Sequence, residues 1–140
     1  RRLAGLTAEF SYGNNTRNKM TNVAASSLDQ QGRESTTVSH PVICAHPLTG
    51  RPAIYVNPLM TVRIAGIPEA ESDALLEELF DALDRPDFRW EQEWAIGDTI
   101  MWENRGGVMH CGRLNYPRDQ RRRFIRTTVR GQRIDMHRAA

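Results

Sequence analysis

Four residues near the C-terminal end of the chain could do chemistry: His110, Cys111, Arg122 and Arg126. His110 and Cys111 stand in "WENRGGVMHCG", after a tryptophan-led run and just past a Gly-Gly break. The histidine reads in three ways, as a metal ligand, as the partner of the thiol, or as a histidine near a turn. Adjacent residues of a strand face opposite ways, which counts against a His-Cys thiol enzyme. The two cysteines, Cys44 and Cys111, show neither CxxC spacing nor a Cys/His zinc pattern. Reduced, buried thiols are therefore expected rather than a disulfide framework.

The arginines crowd into "RDQRRRFIRTTVRGQR", and Lys19 is the only lysine in the chain. Arginine presents a planar fork to carboxylate, sulfonate or phosphate, which lysine does not, although a high-GC genome produces the same bias. If this stretch is a strand, Arg122, Phe124, Arg126 and Thr128 share one face. Arg122 and Arg126 would then stand about 13 Å apart, at a rise of about 3.3 Å per residue. That spacing suits two different anions and is too wide for both arginines to clamp one small carboxylate. The competing reading is a basic edge strand whose charges discourage edge-to-edge pairing. Net charge is only +2, so bulk polyanion binding is excluded. Aromatic residues do not interleave with the basic cluster, and no nucleic-acid partner is expected.

These residues need a frame. At 140 residues, with 39% hydrophobic and 26% charged residues, the chain suits one compact domain with a real core. No apolar run is long enough to cross a bilayer and no signal segment opens the chain, so no membrane partner and a cytoplasmic location are expected. The opening "RRLAGLTAEF" has no methionine and reads as a helix end running into a strand, as in a piece of a longer protein. Residues 13 to 39 are polar, rich in Asn, Ser, Thr and Gln, and read as a long mobile loop.

"VICA" and "AIYVN", joined by a Pro-Leu-Thr-Gly turn, read as two strands. "PEAESDALLEELFDALD" is the one clear helix: Leu76, Leu79, Phe80 and Leu83 keep helical spacing as a core stripe. Acidic residues fill its early turns, Pro68 suits its first position, and "RPDF" ends it. "FRWEQEW", "DTIMWEN" after an Ala-Ile-Gly-Asp turn, "GVMHCGRL" and "RRFIRTTVRG" read as further strands. Short strands with one inserted helix predict a mainly β fold, a sandwich or jelly-roll layer.

The order of these pieces resembles the taurine dioxygenase and phenoxyacetate dioxygenase family of iron(II)- and 2-oxoglutarate-dependent oxygenases. The HP-x-TGR-x-A-x-YVN run, the Pro-Glu-Ala-Glu-Ser helix start, the WxxGD turn, the W-[DE]-N-R run and the R-x-x-x-R-T-T-V run recur in sequence. They span residues 40 to 131, about two-thirds of the chain. The resemblance implies a double-stranded β-helix (jelly-roll, cupin-like) fold, of which residues 1 to 140 form the C-terminal portion of a single oxygenase domain.

By the same resemblance, His110 is similar to the distal histidine of a two-His-one-carboxylate iron triad, which leaves positions open for cosubstrate and oxygen. Arg122 matches the arginine that holds the far carboxylate of 2-oxoglutarate, and Arg126 the one that holds the acidic group of a small organic substrate. Iron(II), 2-oxoglutarate and O2 are thus the implied cofactors, with succinate and CO2 released. Asn57 and Met60 are read either as pocket wall or as packing. The chain departs from the family pattern by one extra residue on each side of His110. It also has no H-x-D or H-x-E motif: His40, His46, His110 and His137 are followed two residues later by Val42, Leu48, Gly112 and Ala139. The expectation is that this chain alone is inactive and needs a missing N-terminal half, with a homo-oligomer as a further candidate partner. The alternative is a non-catalytic β-domain that binds acidic ligands or a protein through the arginine-rich strand.

Overall fold

A computed structural model describes residues 2–11, 37–103, 117, 119 and 123–131. Its first sheet is antiparallel, with β1 (Thr7–Ser11) between β2 (Thr37–Pro41) and β5 (Thr61–Ile64). β1 is central because it can bury its alternate side chains, Ala8 and Phe10, while Thr7 and Glu9 are only half-buried. A register shift between Glu9 and Phe10 sets Phe10 opposite Thr61. The second sheet is the hairpin of β3 (Ile43–Ala45) and β4 (Pro52–Ile54), in the register Ile43 to Ile54 and Ala45 to Pro52. The Val42 N–H donates to Leu6 O at 3.0 Å and the Tyr55 N–H to Val42 O at 2.9 Å, so Val42 ties hairpin to sheet.

The expected Pro-Leu-Thr-Gly turn is present. The Gly50 N–H donates to His46 O at 2.8 Å and the His46 N–H to Arg51 O at 2.9 Å. Gly50 takes φ +68°, the left-handed conformation that this turn requires and that glycine adopts without penalty.

The helix α1 (Glu69–Leu83) lies within the expected span. Pro68 is its N-cap with extended backbone (ψ 147°), one residue earlier than expected. Its buried stripe is Ser72, Leu75, Leu76 and Leu79, and Phe80 and Leu83 lie at the margin. The helix packs against β5, and the core formed there combines Ala8, Phe10, Val42, Val56, Ile64, Leu75, Leu76 and Leu79. Each fully buried leucine contributes about 1.5–3 kcal/mol by removal from water. Pro86 holds Arg85 extended (ψ 137°) and stops the helix, as the "RPDF" signal predicts.

One contact closes the sheet edge. The Ala65 N–H donates to Thr7 O, so the next N–H back along β5, that of Ile64, points away from β1. It donates to the buried Ser72 Oγ of α1 at 2.8 Å, and the helix thus satisfies a group that an edge strand leaves open.

Several strand expectations are corrected. Residues 37–39, expected in the loop, belong to β2; the remainder of that loop beyond Ser11 and before Thr37 lies outside the described residues. Residues 2–5 form a turn rather than a helix end. "MTVRIAG", not singled out in the sequence, supplies β5. "FRWEQEW" opens with a 3-10 turn (Pro86–Phe88) and then runs without a ladder, as do residues 98–103 of "DTIMWEN" and 123–131 of the arginine stretch. The physical reason is that a strand is defined by its partner. β propensity favours a strand in these runs, yet a strand forms only in a ladder, and these residues belong to none. The Ala-Ile-Gly-Asp turn does form: the Asp98 N–H donates to Ala95 O at 3.2 Å, Asp98 Oδ2 accepts the Ala95 N–H at 2.9 Å, and Gly97 has φ +97°.

Candidate functional site

The β3–β4 turn is organised around His46. Its Nδ1 accepts the N–H groups of Leu48 (3.3 Å) and Thr49 (3.2 Å), and its Nε2 lies 2.9 Å from Glu103 Oε2. A ring nitrogen that accepts two N–H groups carries no proton, so the proton sits on Nε2 and is donated to the carboxylate. The contact is short enough for an ion pair, but this tautomer makes it a hydrogen bond from a neutral ring. From the sequence His46 is noted only as lacking an H-x-D or H-x-E motif, and Glu103 is not singled out. Both lie inside the ordered motifs, and only their meeting across 57 positions is new.

Beyond the hairpin, Asn57 Oδ1 accepts the N–H groups of Leu59 (3.1 Å) and Met60 (2.9 Å), while the Asn57 N–H donates to Thr61 Oγ1 at 2.9 Å. Asn57 is thus committed to a turn, and Met60 packs against the core. Phe10, His40 and Tyr55 form a ring cluster with centroids 5.3–5.7 Å apart, beside the same core. On the exposed side of the first sheet Arg63 reaches across to Glu9 with two hydrogen bonds, 2.8 Å from Nε and 2.6 Å from an Nη. The hydrogen bond from Arg63 holds the Glu9 carboxyl below its ordinary value, and the same bond raises the arginine.

Of the expected functional residues, His110 and Arg122 lie outside the described residues, as does Cys111. Cys44 is a buried thiol at 2% exposure, as expected. Arg126 lies exposed in the stretch 123–131, which belongs to no strand. That stretch is held by Phe124, whose ring meets Trp94 edge-on, 5.0 Å between centroids at 77°. The Arg126 segment therefore runs beside the residues that follow α1, without the strand expected for it. Among the described residues no group of three or more His, Cys, Asp or Glu side chains could hold a metal ion. The chain contains no H-x-D or H-x-E motif. Among the described residues no helix is long and apolar enough to cross a membrane.

The described residues, a mainly β frame with one helix packed on the sheet edge, match the fold of dioxygenases of known structure. A crystal structure from Burkholderia xenovorans, provisionally assigned as an alpha-ketoglutarate dependent 2,4-D dioxygenase, matches it with a TM-score of 0.57 and 25% identity. The match covers 75% of this chain and 39% of that one.

The family model for the taurine catabolism dioxygenase TauD, TfdA family matches residues 1–128, and the chain belongs to that family. It is 39% identical over 90 residues to the alpha-ketoglutarate-dependent dioxygenase cnsP of Penicillium expansum, covering 64% of this chain and 24% of that protein. It is 38% identical over 96 residues to the alpha-ketoglutarate-dependent 2,4-dichlorophenoxyacetate dioxygenase of Burkholderia sp. (strain RASC), covering 69% and 31%. The chain thus spans less than a third of the length of each of these two relatives.

Proposed function

We propose that the protein containing this chain is an iron(II)- and 2-oxoglutarate-dependent dioxygenase acting on a small anionic organic substrate. The 140 residues furnish the C-terminal part of its double-stranded β-helix domain. The observation that carries this reading is the family match over residues 1–128, whose relatives are alpha-ketoglutarate-dependent dioxygenases. His110 is the iron ligand this chain contributes, and the other two come from outside it. Iron(II) with 2-oxoglutarate supplies oxygen activation coupled to formation of succinate and CO2.

The chain's own residues bind and orient. Arg122 pairs with the distal carboxylate of 2-oxoglutarate through its planar fork, a charge-assisted contact that fixes position as well as affinity. Arg126, four residues on, holds the acidic group of the substrate. In an extended backbone, rising about 3.3 Å per residue, the two arginines would stand about 13 Å apart. Two anions can then be held at once without competing. Alone, the 140-residue chain is inactive.

The test is anaerobic titration of the full-length gene product with iron(II) and 2-oxoglutarate. A visible charge-transfer band that His110→Ala abolishes is expected, followed by succinate release when substrate and oxygen are added. No band from the unmodified protein refutes the reading. The same band from the 140-residue chain alone overturns the claim that it lacks ligands.

A further inference from the structure

We propose that His46 and Glu103 form a positioning pair, a latch that fastens the Trp102–Glu103 run to the β3–β4 turn and sets where the chain departs toward His110. Three observations carry it. The His46 ring is oriented by its own turn, with Nδ1 occupied by the Leu48 and Thr49 N–H groups, so Nε2–H has one direction left to point. Glu103 Oε2 lies in that direction at 2.9 Å, although residues 99–103 form no ladder of their own. The His46 side chain is 17% exposed and that of Glu103 50%, so one partner is a fixed post and the other is drawn to it from solvent.

Such a contact fixes one point of a run that belongs to no ladder. Glu103 stands seven residues before His110. The pair touches neither substrate nor metal and acts only by holding the backbone from which His110 extends. Its consequence for iron rests on the function proposed above; the pair itself rests on the contacts just given.

His46→Asn separates the two jobs of the ring, because an asparagine carbonyl accepts the same two turn N–H groups but cannot reach Glu103. Glu103→Ala removes the other partner, and Glu103→Gln retains an oxygen that accepts the Nε2–H. Nitrogen NMR of the His46 ring is expected to find Nδ1 unprotonated and Nε2 protonated; the reverse tautomer overturns the proposal. In a double-mutant cycle on the unfolding equilibrium, His46→Asn and Glu103→Ala should couple by about two- to fivefold, with Glu103→Gln keeping most of the coupling. Simple additivity overturns it.

In the full-length gene product, Glu103→Ala should weaken iron(II) binding about tenfold by equilibrium dialysis, with Glu103→Gln close to the unmodified protein. If His110→Ala abolishes iron binding while Glu103→Ala leaves it unchanged, the latch fails and the functional reading stands. If His110→Ala has no effect, the functional reading fails, and the latch is decided by the tautomer and the cycle.

Discussion

Ser72→Ala is the sharpest test of how α1 is held. The serine side chain is 1% exposed, and its Oγ accepts the Ile64 N–H at 2.8 Å. That N–H faces away from β1, on the edge strand of a β2-β1-β5 sheet, and no other strand among the described residues takes it. Alanine fits the same space but leaves a buried donor without a partner. The cost is the desolvation of that group, about 1–3 kcal/mol, rather than the smaller net value of a typical hydrogen bond. For a chain of this size the melting temperature should fall by about 3–12 °C, taking roughly 3–4 °C per kcal/mol. Urea unfolding followed by circular dichroism should give a lower midpoint with an unchanged slope, because the exposed surface is the same. Amide exchange at Ile64 should accelerate by the same factor as the unfolding constant or more. A loss below about 0.5 kcal/mol, with Ile64 exchange unchanged, would refute the claim that the helix hydroxyl closes the sheet edge.

The other expected outcomes concern charge, backbone and the proposed anion sites. Because its hydrogen bond to Arg63 lowers the Glu9 pKa in the folded state, the stabilisation is complete above the ordinary value of 4.5 and is lost as pH falls through the lowered folded-state value. Glu9→Gln should therefore flatten the acid limb of the stability profile; an identical acid limb means that Arg63 does not act on Glu9. Gly50→Ala should cost about 1–2 kcal/mol in thermal unfolding from backbone alone, since φ is +68° and an added Cβ meets nothing within 4 Å. Arg122→Ala in the full-length gene product should weaken 2-oxoglutarate binding about 10- to 100-fold by calorimetry, as expected for loss of a charge-assisted pair. Arg126→Ala should instead raise KM for the substrate and leave 2-oxoglutarate affinity unchanged; reversed effects would mean that the two roles are exchanged.

Much of the frame was legible along the chain. The helical spacing of Leu76 and Leu79, the Pro86 stop, the turn closed by Gly50 and the turn closed by Asp98 are local signals, and each is present where the sequence places it. The family was legible too, because an ordered series of short motifs survives when no single one is specific. Strands were legible only where a ladder forms: "VICA" and "AIYVN" pair, while "FRWEQEW" and the described part of the arginine stretch belong to no ladder. β5 was missed because four residues of "TVRI" carry too little periodicity to distinguish a strand from a linker.

By itself the sequence determined the helix, the turns, the membership in a dioxygenase family and the chemical types available, imidazole and guanidinium groups among them. Tertiary structure alone decided which distant residues meet. It brought Ser72 to the open edge of β5, Arg63 across to Glu9, Phe124 onto Trp94, and Glu103 to a ring 57 positions earlier in the chain. Local signals are set by the backbone preferences of a few neighbouring residues and can be read in order. Contacts between distant segments depend on how the core packs, and no single stretch contains that information.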